Sequence, residues 1–342
     1  MILTPAKYLF ISTMILGTLI SISSNSWLGA WLGLEINLLS FIPLITNSKN
    51  SLSTEASLKY FLIQAFASSV LLFSFIMTQL SSKMNFLMYQ EMLILLMMSS
   101  LMLKMGAAPF HFWFPGTMEG LSWINCLILM TWQKIAPLML ISYIIKLNMF
   151  IFIAILSSVI IGSMGGLNQT SLRKLMAYSS INHLGWMMSA MIIGNNTWIL
   201  YFIIYSTLSL SIIFMFHTHQ ISYISQTYFM MNNQITMKFY LFTLLLSLGG
   251  LPPFLGFLPK WIIIQTMVNL NQLFLVTFMV ITTLITLFYY IRLTFSAFLF
   301  SPLEIKWSMT NNYNHSSLVI ISIMTMISSL SLLLSPLFWF IN

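Results

Sequence analysis

Long runs of apolar residues, separated by short polar connections, extend along the whole chain. Each run approaches or exceeds the roughly 20 residues that a helix needs to cross a bilayer, and none shows the short alternating strands of a membrane barrel. Eleven runs can be drawn, at residues 4–22, 24–45, 55–80, 90–118, 122–145, 148–168, 172–193, 196–217, 238–268, 271–299 and 316–340. The pattern predicts an all-α, polytopic membrane protein of about eleven transmembrane helices, with residues 1–342 forming a single membrane domain.

Two of the apolar runs, 90–118 and 238–268, are interrupted by glycine and proline. Proline removes a backbone donor and clashes with the preceding turn. Unpaired backbone groups cannot face lipid, so each break must be buried in protein or line a hydrated cavity. The residues that mark the breaks recur at identical spacing, 144 positions apart: Gly106, Pro109, Phe110 and Pro115 in the first, and Gly250, Pro253, Phe254 and Pro259 in the second.

The two broken helices predict an internal repeat. Five spans separate one copy from the next, and an odd number of spans inverts the second copy in the membrane. Paired broken helices in the two halves of a chain are typical of inverted-repeat transporters, whose pathway lies near the midplane of the bilayer. We expect repeat one at about 4–145, repeat two at about 148–299, and a C-terminal helix at about 316–340.

Composition supports insertion in a membrane. Hydrophobic residues make up 59% of the 342 positions and charged residues 5%, whereas soluble domains have about 25% charged residues. The net charge of +8 comes from scattered basic residues, so nucleic acid is not an expected partner. One set of loops holds seven of these residues and the other set two, namely Lys7, Lys49, Lys59, Arg173, Lys174, Lys238 and Lys306 against Lys83 and Lys146. The positive-inside rule then places the N-terminus on the cytoplasm-like side, which is the matrix of a mitochondrion, and the C-terminus opposite.

Cofactor chemistry has little support in the sequence. The single cysteine, Cys126, excludes a disulfide framework and a cysteine-ligated metal centre. Glycine-rich nucleotide-binding motifs are absent from the sequence. We therefore expect no metal, no bound cofactor and no redox catalytic site in this chain.

Five ionisable residues lie inside predicted spans or beside the breaks. Each would cost at least about 2.5–3.5 kcal/mol if it faced lipid at the helix centre. They could pair simply to hold helices together, but their number, their similar depth and the two adjacent breaks favour a proton or ion path. These candidates are Glu35, Lys104, Lys134, His183 and Lys260, with His111 either part of the path or a cap of the broken helix.

The chemistry of these residues favours protons over sodium. Burial favours the neutral forms of lysine and glutamate, so a buried lysine can exchange its proton near neutral pH. Cation sites need several oxygen ligands, whereas lysines here outnumber the single mid-membrane carboxylate, Glu35. Movement of Glu35 towards or away from Lys104 would then hold or release a proton, which is a testable switch.

The sequence around these residues resembles a known family. The stretch KMGAAPFHFWFP, Lys104–Pro115, is similar to the broken-helix motif of antiporter-like subunits of respiratory complex I and of multisubunit cation/proton antiporters. Within that family, five further stretches resemble the subunit 2 type of animal mitochondria, and insects in particular: 24–44, 53–62, 130–137, 165–187 and 247–261. The likeness covers about residues 4–300. The resemblance implies that three N-terminal helices of bacterial members have no counterpart among this chain's eleven predicted spans.

The resemblance implies a role and partners. It implies a membrane-arm subunit of NADH:ubiquinone oxidoreductase in the mitochondrial inner membrane, in contact with lipids and other antiporter-like subunits. NADH, FMN, iron–sulfur clusters and ubiquinone would be bound by other subunits. Glu35 would belong to the Glu–Lys pair with Lys104, Lys134 would be the central lysine, His183 would lie in the hydrophilic axis, and Lys260 would belong to the second break. A subunit of a cation/proton antiporter and a purely structural scaffold are the alternatives.

Overall fold

The computed structural model describes residues 5–47, 50–84, 87–230, 235–299 and 315–329. Helices account for nearly all of these residues, and no strand occurs among them, so the all-α prediction is confirmed. The helices are α1 Pro5–Ser23, α2 Trp27–Ile45, α3 Ser51–Met84, α4 Leu87–Met105, α5 Trp113–Gly120, α6 Trp123–Met130, α7 Trp132–Ile144, α8 Met149–Gly166, α9 Leu172–Ile193, α10 Asn195–His219, α11 Ile224–Met230, α12 Ile235–Gly249, α13 Phe257–Asn269, α14 Leu273–Leu299 and α15 His315–Ser329.

Many of these helices are suited to a bilayer. Within the described ranges, seven helical stretches are long and apolar enough to cross one, among them α1, α2, α8, α10 and most of α14. The prediction of eleven spans stays a prediction. Residue 4, residues 330–340 of the last predicted segment, and the basic residues Lys49 and Lys306 lie outside the described residues.

The chain forms two compact units, Met1–Ser158 and Val159–Asn342, and the division falls within α8. In the first unit α1 packs on α2, and α3 packs on α2, α4 and α5. Glycines allow the first pair to approach closely, because a Cβ at Gly33 would lie 2.6 Å from the backbone nitrogen of Ser21 on α1. In the second unit α9 packs on α10 and α13, and α12 packs on α10, α14 and α15. The prediction of one domain stays a prediction.

The two predicted breaks have matching helix ends. Helix α4 ends at Met105 and α12 ends at Gly249, and the chain resumes helical form at Trp113 and at Phe257. Gly106 follows α4 with a φ angle of 73°, and Gly250 follows α12 with a φ angle of 84°. The left-handed conformation is common just past a helix end and is strained for residues with a Cβ.

Hydrogen bonds close both helix ends in the same way. The Ala107 amide donates to the Met102 carbonyl at 3.0 Å, and the Leu251 amide donates to the Leu246 carbonyl at 3.3 Å. Such a six-residue closure satisfies carbonyls that the helix end leaves unpaired. These four positions again differ by 144, so the repeat that the sequence predicts extends to the backbone hydrogen bonds of the breaks.

The structure divides one further predicted segment. Residues 122–145 form two helices, α6 and α7, which are separated at Thr131, and the Lys134 amide donates to the Thr131 carbonyl at 3.2 Å. That short-range bond is typical of a tightened turn. Pro137 lies within α7 and cannot donate to the Gln133 carbonyl. The chain is therefore irregular next to Lys134, which the apolar pattern alone did not show.

Candidate functional site

Lys104 occupies the last turn of α4, immediately before the first break, with 6% of its surface exposed. Side chains from two other segments bind the backbone here. The Gln64 side-chain amide donates to the Lys104 carbonyl at 3.1 Å, and the Trp113 indole N–H donates to the Leu103 carbonyl at 3.1 Å. These bonds satisfy carbonyls at a helix C-terminus, where positive charge is also favoured.

A chain of neutral polar side chains crosses the first unit beside Lys104. The Tyr60 hydroxyl donates to the Gln133 side-chain carbonyl at 3.4 Å, and the Gln133 side-chain amide donates to Asn37 Oδ1 at 2.9 Å. The three residues lie on α3, α7 and α2, so the chain ties three helices together at one level. Buried polar networks of this kind are stable only when their members find partners.

A small cavity connects this polar chain to Lys104. Its polar walls are Asn37, Tyr60, Gln64, Lys104 and Gln133. The cavity offers about 10 Å³ to the centre of a water molecule, close to the roughly 10–15 Å³ that one buried water needs. A water there would find several hydrogen-bonding partners next to the Lys104 side chain.

Lys134 follows Gln133 at the start of α7 and is 1% exposed. Its ammonium nitrogen lies 4.9 Å from the centroid of the Phe114 ring on α5, over the ring face. A cation over an aromatic face is stabilised by the ring quadrupole, more strongly where water is excluded. Because α5 follows the first break, this contact joins Lys134 to the broken helix.

Glu35 lies half-buried on α2 and interacts electrostatically with Lys104. The two side chains form no ion pair within 4.0 Å, although both are among the described residues. His111 is buried inside the break itself, where its Nδ1 lies 3.3 Å from the Pro109 carbonyl and its ring packs on Phe112. The first unit thus brings Glu35, Lys104 and Lys134 to the same region, with His111 in the break beside it.

The second unit contains a cluster of histidine and tyrosines. His183 lies on α9, which is buried along almost its whole length, and its Nδ1 is 2.7 Å from the Tyr201 hydroxyl on α10. The Tyr205 ring packs on the imidazole with 5.0 Å between centroids. Ser180 lies within hydrogen-bonding range of Tyr205. His183 is therefore surrounded by hydroxyl groups.

Lys260 caps the second break. Its ammonium donates to the Gly249 carbonyl at 2.8 Å, at the C-terminal end of α12, where the helix dipole favours a cation. The same nitrogen lies 5.9 Å from the Trp186 ring centroid. Trp186 is one turn from His183 on α9, so the second unit brings Lys260 to the helix that holds His183.

Several polar residues of these clusters were missed by the sequence analysis. They are uncharged, and an uncharged amide or hydroxyl in an apolar segment is a weaker signal than a charge. Asn37 and Gln133 could have been identified from the sequence, because Asn37 lies two residues after Glu35 and Gln133 immediately precedes Lys134. The missed residues are Asn37, Tyr60, Gln64 and Gln133 in the first unit and Tyr201 and Tyr205 in the second.

Among the described residues, no group of three or more histidine, cysteine or acidic side chains could hold a metal ion. Cys126 is fully buried, with its thiol 3.5 Å from the Met118 carbonyl. The prediction that cofactors bind to other subunits stays a prediction.

Comparison with family profiles assigns nearly the whole chain. The profile described as NADH:quinone oxidoreductase/Mrp antiporter, TM, matches residues 24–286. The profile described as NADH dehydrogenase subunit 2 C-terminus matches residues 287–339. The first match includes both breaks and every candidate ionisable residue.

Full-length relatives agree with these matches. The chain is 57% identical over 308 residues to NADH-ubiquinone oxidoreductase chain 2 of Anopheles gambiae, which covers 90% of each chain. It is 56% identical over 336 residues to the chain of the same name in Aedes aegypti, which covers 97% of this chain and 98% of the relative.

Solved structures share the fold at lower identity. A chain of respiratory complex I from Thermus thermophilus superposes with a TM-score of 0.81 at 22% identity, over 97% of this chain and 79% of that one. A chain of the Mrp complex from Dietzia superposes with a TM-score of 0.74 at 15% identity, over 83% and 59%. The matched profiles and the insect relatives show that this chain belongs to the family of NADH-ubiquinone oxidoreductase chain 2, the multi-pass inner-membrane subunits of mitochondrial complex I.

Proposed function

We propose that this chain conducts protons across the inner membrane as part of the membrane arm of NADH:ubiquinone oxidoreductase, coupled to electron transfer in other subunits. Lys104, Lys134, His183 and Lys260 carry the protons, and Glu35 biases Lys104. The partners are lipids and other antiporter-like subunits of the complex. The N-terminus faces the matrix and the C-terminus faces the intermembrane space, as the loop charges favour.

One observation carries the proposal, namely that the Lys104 side chain shares a water-sized polar cavity with Gln133. A scaffold would stabilise a buried lysine most simply by a direct ion pair. Lys104 instead lies near Glu35 without a direct pair, next to room for one water. A cation that is held loosely and can reach water can exchange its proton, whereas a tightly paired one cannot.

A subunit of a cation/proton antiporter is the second candidate function, since the Mrp chain shares the fold. The profile that matches residues 287–339 is described for NADH dehydrogenase subunit 2 and favours the complex I function. The scarcity of carboxylates near the candidate lysines also argues against a sodium site.

Native gel electrophoresis of mildly solubilised mitochondrial membranes tests the proposal. We expect the chain, located by mass spectrometry, in the large band that stains for NADH oxidation. Migration of the whole pool in a smaller assembly without that activity would contradict the proposal. Sodium/proton exchange in vesicles would then be the next assay.

A further inference from the structure

A pocket opens at one end of the second unit, where the loop between α8 and α9 meets the last turns of α14. Its volume is about 690 Å³. Leu167, Thr170, Tyr223, Arg292 and Leu293 contribute to its walls, and Arg292 donates a hydrogen bond to the Leu167 carbonyl. The same end of the unit carries Arg173 and Lys174, two of the basic residues that favour the matrix side.

Tyr289 lies directly beneath this pocket. It is three and four residues before Arg292 and Leu293 on α14, which places it one turn further in on the same face. Its ring also packs against the end of α8, since a Cβ at Gly166 would meet it at 2.9 Å. Tyr289 is fully buried, so a buried phenol lies one helical turn beyond the pocket wall.

Buried hydroxyl groups continue from Tyr289 to His183. The rings of Tyr289 and Tyr290 are 4.5 Å apart between centroids, and Tyr290 lies within hydrogen-bonding range of Tyr289 and of Ser179 on α9. Tyr290 is also close enough to interact electrostatically with Tyr205, whose ring packs on His183.

The hydroxyls of Tyr289 and Tyr290 are placed to exchange partners. Both are fully buried, and neither completes a hydrogen bond of ordinary geometry with another described side chain or backbone group. Burial of a hydroxyl without a full bond costs free energy. Packing of the rings does not require these hydroxyls, so their burial points to a role other than packing.

We propose that Tyr289, Tyr290 and Tyr205 form a relay that carries protons between the pocket beside Arg292 and His183. In the inward direction, the Tyr289 oxygen accepts a proton from a hydronium ion in the pocket, which is left as water, and it gives its own proton to the Tyr290 oxygen. Tyr290 and Tyr205 repeat the exchange, and the imidazole of His183 receives the last proton. Each hydroxyl ends with one proton, so the net change is one proton moved.

The inference rests on the proposed function, because it names the route by which protons reach that same site. It adds residues that pass protons along a path. The path starts at the end of the second unit that carries Arg173 and Lys174. With the orientation proposed above, the relay is a matrix-side entrance.

Substitution of single hydroxyls tests the relay in the intact complex. Tyr290→Phe and, separately, Tyr289→Phe remove one oxygen and keep the ring. We expect NADH-driven proton translocation to slow about tenfold, as for a barrier raised by about 1.4 kcal/mol, while the complex assembles normally on a native gel. The solvent deuterium isotope effect on translocation should rise, because proton delivery becomes rate-limiting, and a purely packing role would leave it unchanged.

Two further variants make the result decisive. Tyr178→Phe is the matched control, because Tyr178 packs its ring on Gly165 and belongs to the same helix as His183, but lies outside the relay. Its translocation should equal that of the unmodified complex. If both relay variants translocate normally while Lys134→Met is inactive, the relay is wrong and the proposed function stands. If Lys134→Met also translocates normally, the proposed function itself fails and the relay fails with it.

Discussion

At the scale of single residues, the lysines differ in how the chain holds them. Lys104 borders a cavity, Lys134 lies over an aromatic ring, and Lys260 donates to the end of a helix. Of these three contacts, the last places the cation against a backbone carbonyl. The three side chains therefore offer different environments to a passing proton, and their removal should have different consequences.

Replacement of Lys134 by methionine should abolish proton translocation and leave assembly intact. Methionine fills a similar volume in a site that is 1% exposed and next to Phe114, and the change removes the cost of a buried cation. Translocation can be followed with a pH-sensitive dye in sealed vesicles during NADH oxidation. Lys59→Met is the control, because Lys59 forms an exposed ion pair with Glu55 at 2.5 Å, and exposed pairs contribute at most about 1 kcal/mol. Normal translocation by Lys134→Met would contradict the proposed path.

Replacement of Gln133 by leucine should destabilise the first unit and slow proton translocation. The change breaks the bonds to Tyr60 and Asn37, and each buried polar group that is left unpaired costs about 1–3 kcal/mol. Thermal unfolding of the isolated complex measures the first effect. Gln133→Glu is the comparison, since its carboxyl oxygens can still accept from Tyr60. Equal unfolding temperatures for the Leu variant and the unmodified complex would show that the polar chain does not stabilise the unit.

The residue scale also shows what the sequence could and could not predict. Charges in apolar segments are costly wherever they lie, so Lys104, Lys134 and His183 could be identified without coordinates. Gln64 and Tyr290 carry no charge, so they cost less inside an apolar segment, and their significance comes from neighbours that are distant in sequence. The breaks were predictable because glycine and proline restrict the backbone locally, whereas the division at Thr131 involves neither residue and was missed.

At the scale of elements, the two breaks are the most regular feature of the chain. Each consists of a helix end, a left-handed glycine, a closing hydrogen bond and a short irregular stretch before the next helix. The glycines are needed for two reasons, the positive φ angle and the space beside them. A Cβ at Gly106 would lie 3.0 Å from the Phe114 side chain, and one at Gly250 would lie 2.9 Å from the Lys260 nitrogen.

Replacement of either glycine by alanine should lower the stability of the complex. An L-residue in the left-handed region costs about 1–2 kcal/mol, and the close contacts at Phe114 or Lys260 add to that. At Gly250 the added methyl should also disturb the bond from Lys260 to Gly249 and slow translocation. Thermal unfolding and translocation assays together measure both effects.

A third glycine gives the matched control for these variants. Gly116 lies on α5, where an added Cβ would meet no atom within 4 Å. Gly116→Ala should therefore unfold at the same temperature as the unmodified complex, or slightly above it. If the three alanine variants were equally stable, the left-handed geometry would not be what these positions require.

At the scale of the whole molecule, the charges in the loops predict an orientation that labelling can test. The only thiol, Cys126, is fully buried, so the unmodified chain should not react with a membrane-impermeant maleimide. Lys174→Cys and Lys146→Cys place one thiol on each predicted side, at a half-exposed and an exposed position respectively. We expect Lys146→Cys to react in mitochondria whose outer membrane has been removed, and Lys174→Cys to react only in inverted inner-membrane vesicles. The reverse pattern would place the N-terminus in the intermembrane space.

The matching breaks have a consequence for where a charge can sit. The position that corresponds to Lys104 in the second copy is Leu248, and the position that corresponds to Lys260 in the first copy is Gly116. One copy has its cation before the break and the other has it after, although the backbones that close the two helices are alike. Each break thus offers two positions for a charged side chain, one before and one after the irregular stretch, and each copy has a lysine at one of them. The two halves therefore share the backbone of the helix ends and differ in the side of the break on which the lysine lies.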